Sequence, residues 1–125
     1  MLSPPLPGLF VAGTDTDAGK TAVATTLLRR LRADGRRPGA YKPVASGGNG
    51  DALALWEAAG RPLGPSAVCP QWFQAPLAPH HAARAEGSEI DEELLVSGIE
   101  PWRGTVEIVV VEGAGGLFSP LSLRM

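Results

Sequence analysis

The nine residues GTDTDAGKT, at positions 13–21, differ slightly from the usual phosphate-binding loop. That loop has a glycine, four further residues, and then glycine, lysine and serine or threonine. Here Gly13 lies one position too early, and Thr14 occupies the position of the first glycine. Taken alone, the stretch is compatible with a nucleotide-binding loop, with a variant of one, or with a polar turn that contains a lysine.

The flanking sequence favours nucleotide binding. The apolar run GLFVAG at 8–13 predicts a buried strand. A helix is predicted from Gly19 to Gly35, because apolar residues recur at helical spacing: Ala24, Leu27, Leu28 and Leu31. Phosphate binds at helix N-termini, where Gly19 permits close backbone approach, Lys20 adds a cation and the Thr21 hydroxyl suits a magnesium ion. A chance polar turn does not explain this strand–loop–helix context.

The rest of the chain predicts an open α/β fold. A second strand that runs into a glycine-rich loop is expected over 38–50, and the clearest strand over 105–116, where four consecutive apolar residues begin at Ile108. Such an apolar run is typical of a strand buried on both faces in a parallel sheet. Two helices are predicted, one at 51–60 and one at 88–99. The segment between them, 61–88, is predicted to be a loop with at most one short helical turn.

These elements predict a parallel sheet with flanking helices. In such sheets, ligands bind beyond the carboxyl ends of the strands. Three polar, glycine-rich segments each follow a predicted strand and should converge at that edge: 13–21, 45–51 and 112–116.

Two carboxylates at this edge are candidate magnesium ligands. Magnesium prefers oxygen ligands, commonly one or two carboxylates with phosphate and water. Glu112 ends the strongest strand, where an unpaired buried carboxylate would be costly, so a nearby cation is expected. Asp51 follows the second glycine-rich segment, although a plain helix N-cap would also explain it.

Other polar residues near the strand ends have weaker signals. Lys42 lies near the end of a predicted core strand, where a lysine either extends to solvent or serves an anion, and the expected phosphates favour the anion. Ser46 is either a ligand-binding residue or an ordinary loop residue. His80 and His81 lack the spacing of a metal site, and a solvated or packing role is favoured.

Composition narrows the possible partners and location. The 125 residues carry a net charge of −2, which offers no electrostatic basis for binding nucleic acid or an anionic membrane. The single cysteine, Cys69, allows no internal disulfide and is interpreted as a half-buried structural thiol in a reducing compartment. There is no long apolar run or secretion signal, so the cytoplasm is the expected location.

Four motifs, in order and spacing, resemble those of the dethiobiotin synthetase family of P-loop enzymes, over residues 9–122: GTDTDAGKT, YKPVASG, DALAL and VEGAGGLFSPLS. The second and fourth motifs discriminate best, because many P-loop proteins share only a Gly-Lys-Thr. By this resemblance, the unusual loop is the family's own variant of the phosphate loop.

The resemblance implies a function: ATP- and magnesium-dependent ring closure of 7,8-diaminononanoate with carbon dioxide to dethiobiotin, releasing ADP and phosphate. It implies that Lys42 and Lys20 act in catalysis, and that Ser46 and Thr16 bind the diamine or its carbamate. Magnesium would be bound by Thr21, Asp51 and Glu112. The nucleotide would contact these same three residues and Lys20, together with Asp17, Ala18, Gly19, Ala22, Gly113, Ala114 and Gly115.

The resemblance also implies that residues 1–125 are one incomplete P-loop nucleotide-binding domain, with a lead-in over 1–8, because the family's chain continues beyond this length and forms a homodimer. We therefore expect the strand at 106–111 to have an open edge prone to aggregation. Three alternatives stay open: another nucleotide-dependent amide or carbamate ligase of the same broad family, a switch ATPase of the partitioning type, or an inactive truncated remnant that only binds nucleotide. The switch class usually has an additional lysine near the start of its loop, where this chain has Thr14, Asp15 and Thr16.

Overall fold

A computed structural model describes residues 6–11, 17–48, 50–74, 79–87 and 91–113 of the chain. These residues form strands and helices in the following order: β1 (Gly8–Val11), α1 (Asp17–Ala33), β2 (Pro38–Tyr41), β3 (Val44–Ser46), α2 (Gly50–Ala59), α3 (Pro65–Val68), β4 (Gln71–Phe73), α4 (Pro79–Ala85), α5 (Glu92–Ser97), a 3₁₀ turn (Glu100–Trp102) and β5 (Ile108–Glu112).

The main sheet has three strands in the order β1-β5-β2, and both pairings are parallel. The predicted α/β architecture, a parallel sheet with flanking helices, is confirmed. The expectation that the strand at 106–111 has an open edge is wrong, because β5 is the central strand and pairs on both sides. Its burial follows from this position: Val109 and Val110 are buried, as the apolar run predicts.

The segment from 38 to 88 contains more structure than its sequence predicts. The expected single strand over 38–50 is two strands, since β2 joins the main sheet while β3 pairs in parallel with β4 in a separate sheet. The expected loop over 61–88 contains β4 and two helices, α3 and α4. Pro65 lies in the first turn of α3, where its missing N–H costs no hydrogen bond, so this proline starts a helix.

The hydrophobic core lies between the main sheet and the helices that pack on it. Helices α1 and α2 pack against each other, and their buried residues meet those of the strands: Ala24, Leu28, Ala52, Leu55, Ala40 and Val110. Trp102, fully buried in the 3₁₀ turn, packs against Gly39 of β2, where a Cβ atom would lie 2.6 Å from the ring. The absence of a side chain at Gly39 therefore lets the indole ring lie directly against β2.

Two predicted helix starts are shifted. Helix α2 begins at Gly50, so Asp51 lies in its first turn and is not the N-cap. Helix α5 begins at Glu92, and its N-cap is Asp91, whose side chain accepts a hydrogen bond from the Leu94 amide at 3.2 Å. None of the helices in the described residues is long and apolar enough to cross a membrane.

Candidate active site at the carboxyl edge of the sheet

Lys42 and Glu112 form a buried ion pair at the carboxyl edge of the main sheet. The ammonium of Lys42 lies 2.5 Å from Oε2 of Glu112, and both side chains are almost completely buried. The strand register explains the contact, because Tyr41 pairs with Val111 and the residues that follow them, Lys42 and Glu112, are therefore adjacent. A cation does lie beside Glu112, and it is the ammonium of Lys42, whereas the role of Glu112 as a magnesium ligand stays a prediction.

Two buried oxygens near this edge lack hydrogen-bond partners among the described residues. They are Oγ1 of Thr21, in the first turns of α1, and Oε1 of Glu112. Helix α1 contacts β5, and β1, which precedes the helix, pairs Val11 with Glu112. Buried polar atoms are normally satisfied, so two unsatisfied oxygens at one edge suit a bound cation. A hydroxyl and a carboxylate are ligands that magnesium accepts.

The remaining candidate residues with described side chains differ in exposure. Lys20, one residue before Thr21, is only 4% exposed, which is unusual for a lysine and is typical of one that serves an anion or a partner. Asp51 in α2 and Ser46 at the end of β3 are half-buried, whereas Gly19 and Ala22 are exposed. Gly113 is buried and donates its amide to Val11 O at 3.1 Å, which extends the pairing of β5 with β1.

The other predicted site residues lie partly or wholly outside the structure's description. Thr16, Ala114 and Gly115 are outside the described residues. For Asp17 and Ala18 the structure describes only the backbone, which lies in the first turn of α1. Their predicted roles in binding phosphate or substrate stay predictions.

Neighbouring groups have shifted pKa values because the region is buried. Burial raises the pKa of the Tyr41 hydroxyl to about 12, with a smaller contribution from Cys69. Burial likewise raises the pKa of the Cys69 thiol to about 11, against the opposing effect of the Lys42 charge. The expected half-buried, unreactive thiol at Cys69 is consistent with both its intermediate exposure and this shift.

Sequence reasoning missed how the backbone around Lys42 is held. The Lys42 amide donates to Val68 O of α3 at 2.8 Å, and the Tyr41 hydroxyl contacts α5. A tyrosine that ends a core strand just before a lysine could have suggested this, because a buried tyrosine hydroxyl needs a partner. In the part of the chain that the structure describes, no group of three or more His, Cys, Asp or Glu side chains could hold a metal.

Residues 7–125 match the sequence model of a protein family described as AAA domain. The chain is also similar to proteins named ATP-dependent dethiobiotin synthetase. It is 48% identical to the one from Rhodopirellula baltica over 123 residues, covering 90% of this chain and 48% of that protein. The relative in Anaeromyxobacter dehalogenans is 47% identical over 121 residues, covering 94% of this chain and 54% of the relative. A relative in Escherichia coli O157:H7 is 41% identical over 121 residues, covering 90% of this chain and 54% of that relative.

The chain thus spans about half the length of the curated relatives that it matches. The resemblance to dethiobiotin synthetases that the four motifs indicate is confirmed by these similarities.

Proposed function

Because this chain belongs to the AAA domain family and resembles ATP-dependent dethiobiotin synthetases, we propose that it acts in biotin synthesis. It would be a ligase that binds ATP and magnesium and closes the ring of 7,8-diaminononanoate with carbon dioxide. The products would be dethiobiotin, ADP and phosphate.

The observation that carries this proposal is the buried Lys42–Glu112 pair, which leaves Oε1 of Glu112 without a partner among the described residues. A buried carboxylate with one oxygen on a lysine and the other unsatisfied is costly for a purely structural element. The unsatisfied hydroxyl of Thr21 supports the same view. A partitioning-type ATPase usually has an additional lysine near the start of its phosphate loop, where this chain has Thr14, Asp15 and Thr16.

Magnesium fits these residues. Thr21 and Glu112 would offer the two unsatisfied oxygens, and the half-buried Asp51 in the first turn of α2 would add a second carboxylate. Bound there with ATP, the ion would supply positive charge for the phosphoryl oxygens. A hydroxyl and carboxylates are hard oxygen ligands, which favour magnesium over the softer transition metals.

The proposed reaction needs no nucleophile from the protein, because the two amines and the carbamate form all the new bonds. One amine of the diamine attacks carbon dioxide and loses a proton, which gives a carbamate. The carbamate oxygen takes the γ-phosphoryl group as the bond to ADP breaks. The second amine then attacks the carbonyl carbon, loses a proton and expels phosphate, which closes the cyclic urea.

The residues of this chain would act mainly by positioning and by charge. Lys20, at the start of α1, would bind the nucleotide phosphates together with the backbone of Asp17 to Ala22. Lys42 would stabilise the negative charge that develops on the carbamate and phosphoryl oxygens. Ser46 and Thr16 would hold the diamine or its carbamate, and Gly113 to Gly115 would line the nucleotide.

The proposal extends to organisation and location. Residues 1–125 would form one P-loop nucleotide-binding domain, and the active form would be a cytoplasmic homodimer without nucleic-acid or membrane partners. The net charge of −2 and the single cysteine support this view.

The test is to incubate the purified chain with ATP, magnesium, bicarbonate and 7,8-diaminononanoate, and to measure dethiobiotin by mass spectrometry and phosphate release in parallel. The proposal predicts that phosphate release requires the diamine and that Lys42→Met abolishes it. Arg84→Met, which changes an exposed cation on α4, is the control and should retain activity. ATP hydrolysis that is indifferent to the diamine would instead support a switch ATPase.

A further inference from the structure

We propose that Tyr41 is a positioning residue for Lys42, holding the lysine in place through the hydrogen bonds of its hydroxyl to helix α5. The inference rests on the proposed function in one respect, namely that Lys42 takes part in the reaction. Tyr41 ends β2 and is 3% exposed. Its Oη donates to the carbonyl oxygens of Leu94 and Leu95, at 3.1 and 3.0 Å.

The hydroxyl is closely enclosed on the side of α5. A Cβ atom on Gly98, the residue that caps this helix, would lie 2.2 Å from Tyr41 Oη and 2.8 Å from Leu94 O. Only glycine fits at this distance without a shift of the tyrosine. Leu94 O also accepts the Gly98 amide at 2.9 Å, so the tyrosine proton adds a second hydrogen bond there, and it bonds Leu95 O, one of the last carbonyls of the helix.

Tyr41 marks the point where the chain leaves the main sheet. Its Cα is the last of β2 in register with β5, and the next strand, β3, belongs to the other sheet. Lys42 is therefore outside the main-sheet ladder, and its amide bonds to α3, through Val68 O at 2.8 Å. The Lys42 backbone is thus held by α3 directly and by α5 through the adjacent tyrosine.

This anchoring matters because the lysine side chain is long and flexible. A lysine ammonium sits on four rotatable carbons, so its position depends on where the backbone holds its Cα. Small displacements of a catalytic group reduce rate strongly. Loss of the Tyr41 hydroxyl should therefore move the Lys42 ammonium relative to Glu112 and lower kcat more than it changes KM for ATP.

The chain offers a direct readout of this movement, since it contains only two lysines, Lys20 and Lys42. Labelling with lysine carrying ¹⁵N at Nζ gives one resonance for each, and the Lys42→Met variant assigns them. In Tyr41→Phe we expect the Lys42 resonance to shift or to broaden to loss, the Lys20 resonance to stay in place, and kcat to fall about tenfold.

Two further variants separate positioning from general loss of packing. Gly98→Ala presses on the same hydroxyl from α5 and should change the Lys42 resonance as Tyr41→Phe does. Thr105→Val is the matched control, because it removes another hydroxyl that donates to a backbone carbonyl, Pro101 O at 3.0 Å, and should leave both lysine resonances unchanged.

Circular dichroism first identifies which variants are folded. A folded Tyr41→Phe or Gly98→Ala chain whose Lys42 resonance matches that of the wild type would overturn the inference. Because the resonance is recorded without substrates, this outcome is distinct from a failure of the proposed function, which would show as wild-type protein without diamine-dependent turnover.

Discussion

The ammonium of Lys42 lies 2.5 Å from the carboxylate of Glu112, although the two residues are 70 positions apart in the chain. The parallel register of β2 and β5 places them together, one residue beyond the pair Tyr41 and Val111. In this pair Oε2 of the buried Glu112 carboxylate contacts a cation, while Oε1 has no partner among the described residues and could accept another ligand. This relationship links the fold of the sheet to the proposed chemistry.

Breaking this pair from one side should destabilise the protein strongly. Removal of one partner of a buried ion pair leaves an uncompensated charge and costs about 3–5 kcal/mol. We expect Glu112→Gln and Lys42→Met each to lower the free energy of unfolding by about this amount in urea titrations. The double variant Lys42→Met/Glu112→Gln should lose less than the sum of the two, because no unpaired charge is left. A loss in the double variant equal to the sum of the two single losses would contradict an energetic coupling between Lys42 and Glu112.

Replacing Thr21 by valine should separate stability from binding. The Thr21 hydroxyl is buried without a partner among the described residues, so its loss should leave the free energy of unfolding unchanged within about 0.5 kcal/mol, or raise it. Binding of ATP with magnesium should weaken. Thermal melts with and without ATP and magnesium measure both effects.

Thr25→Val is the matched control for that experiment. Its hydroxyl is also in α1 but donates to Ala22 O at 3.1 Å, so its loss should lower stability by about 0.5–1.5 kcal/mol. Nucleotide binding should stay as in the wild type. A Thr21→Val protein that is destabilised as much as Thr25→Val but binds nucleotide normally would contradict the assignment of Thr21.

Gly39→Ala should disturb the core beneath β2. A Cβ atom there would lie 2.6 Å from Cε3 of the fully buried Trp102, so the ring must shift. Overpacking of this kind costs about 1–3 kcal/mol. The denaturant midpoint, followed by tryptophan fluorescence, measures the loss. Gly64→Ala has open space and a negative φ, and should stay within about 0.5 kcal/mol of the wild type. Equal free energies of unfolding for Gly39→Ala and Gly64→Ala would contradict this prediction, because they would show that the Trp102 ring moves aside without cost.

The Cys69 thiol should make stability depend on pH at the alkaline end. Burial raises the pKa of the thiol from its ordinary value of 9.0 to about 11, so at intermediate pH the folded state holds a proton that the unfolded chain releases. The contribution is fully present below about pH 9 and is lost as the pH rises towards 11, at no more than about 1.4 kcal/mol per pH unit.

Cys69→Ser isolates this contribution from that of Tyr41, whose pKa is also raised by burial. Urea titrations at about pH 8 and pH 10.5 should show a smaller alkaline loss in Cys69→Ser than in the wild type. The thiol lines a cleft of about 190 Å³ between α2, α3 and β4, so small alkylating reagents can reach it. Its reaction at pH 8 should be about tenfold slower than that of an unperturbed thiol, because a lower thiolate fraction is partly offset by a more nucleophilic thiolate. An equal loss of unfolding free energy between about pH 8 and pH 10.5 in Cys69→Ser and the wild type would contradict the predicted effect of burial on the thiol pKa.

The parallel sheet could be predicted from the alternation of strands and helices, and so could the placement of Lys42 and Glu112 near one edge of it. Their direct contact could not, because it depends on β2 pairing with β5. The second sheet could not be predicted either. Its strands, Val44–Ser46 and Gln71–Phe73, have three residues each, too few for a period of two to be recognised. The central position of β5 was also missed, since pairing order is a tertiary property that the order of elements leaves open.

The Tyr41 contact with α5 was equally beyond the sequence. It joins residues more than 50 positions apart and depends on glycine at position 98, which in the sequence indicates only a helix end. The lengths of Asp17–Ala33 and Gly50–Ala59 were predictable because their apolar spacing extends over several turns.

The most direct test of the proposed site is isothermal titration of the 125-residue chain with ATP and magnesium, with and without 7,8-diaminononanoate. We predict nucleotide binding whose heat changes when the diamine is present, because both ligands would meet at the edge that holds Lys42 and Glu112. Absence of nucleotide binding by a chain that circular dichroism shows to be folded would contradict the proposed function.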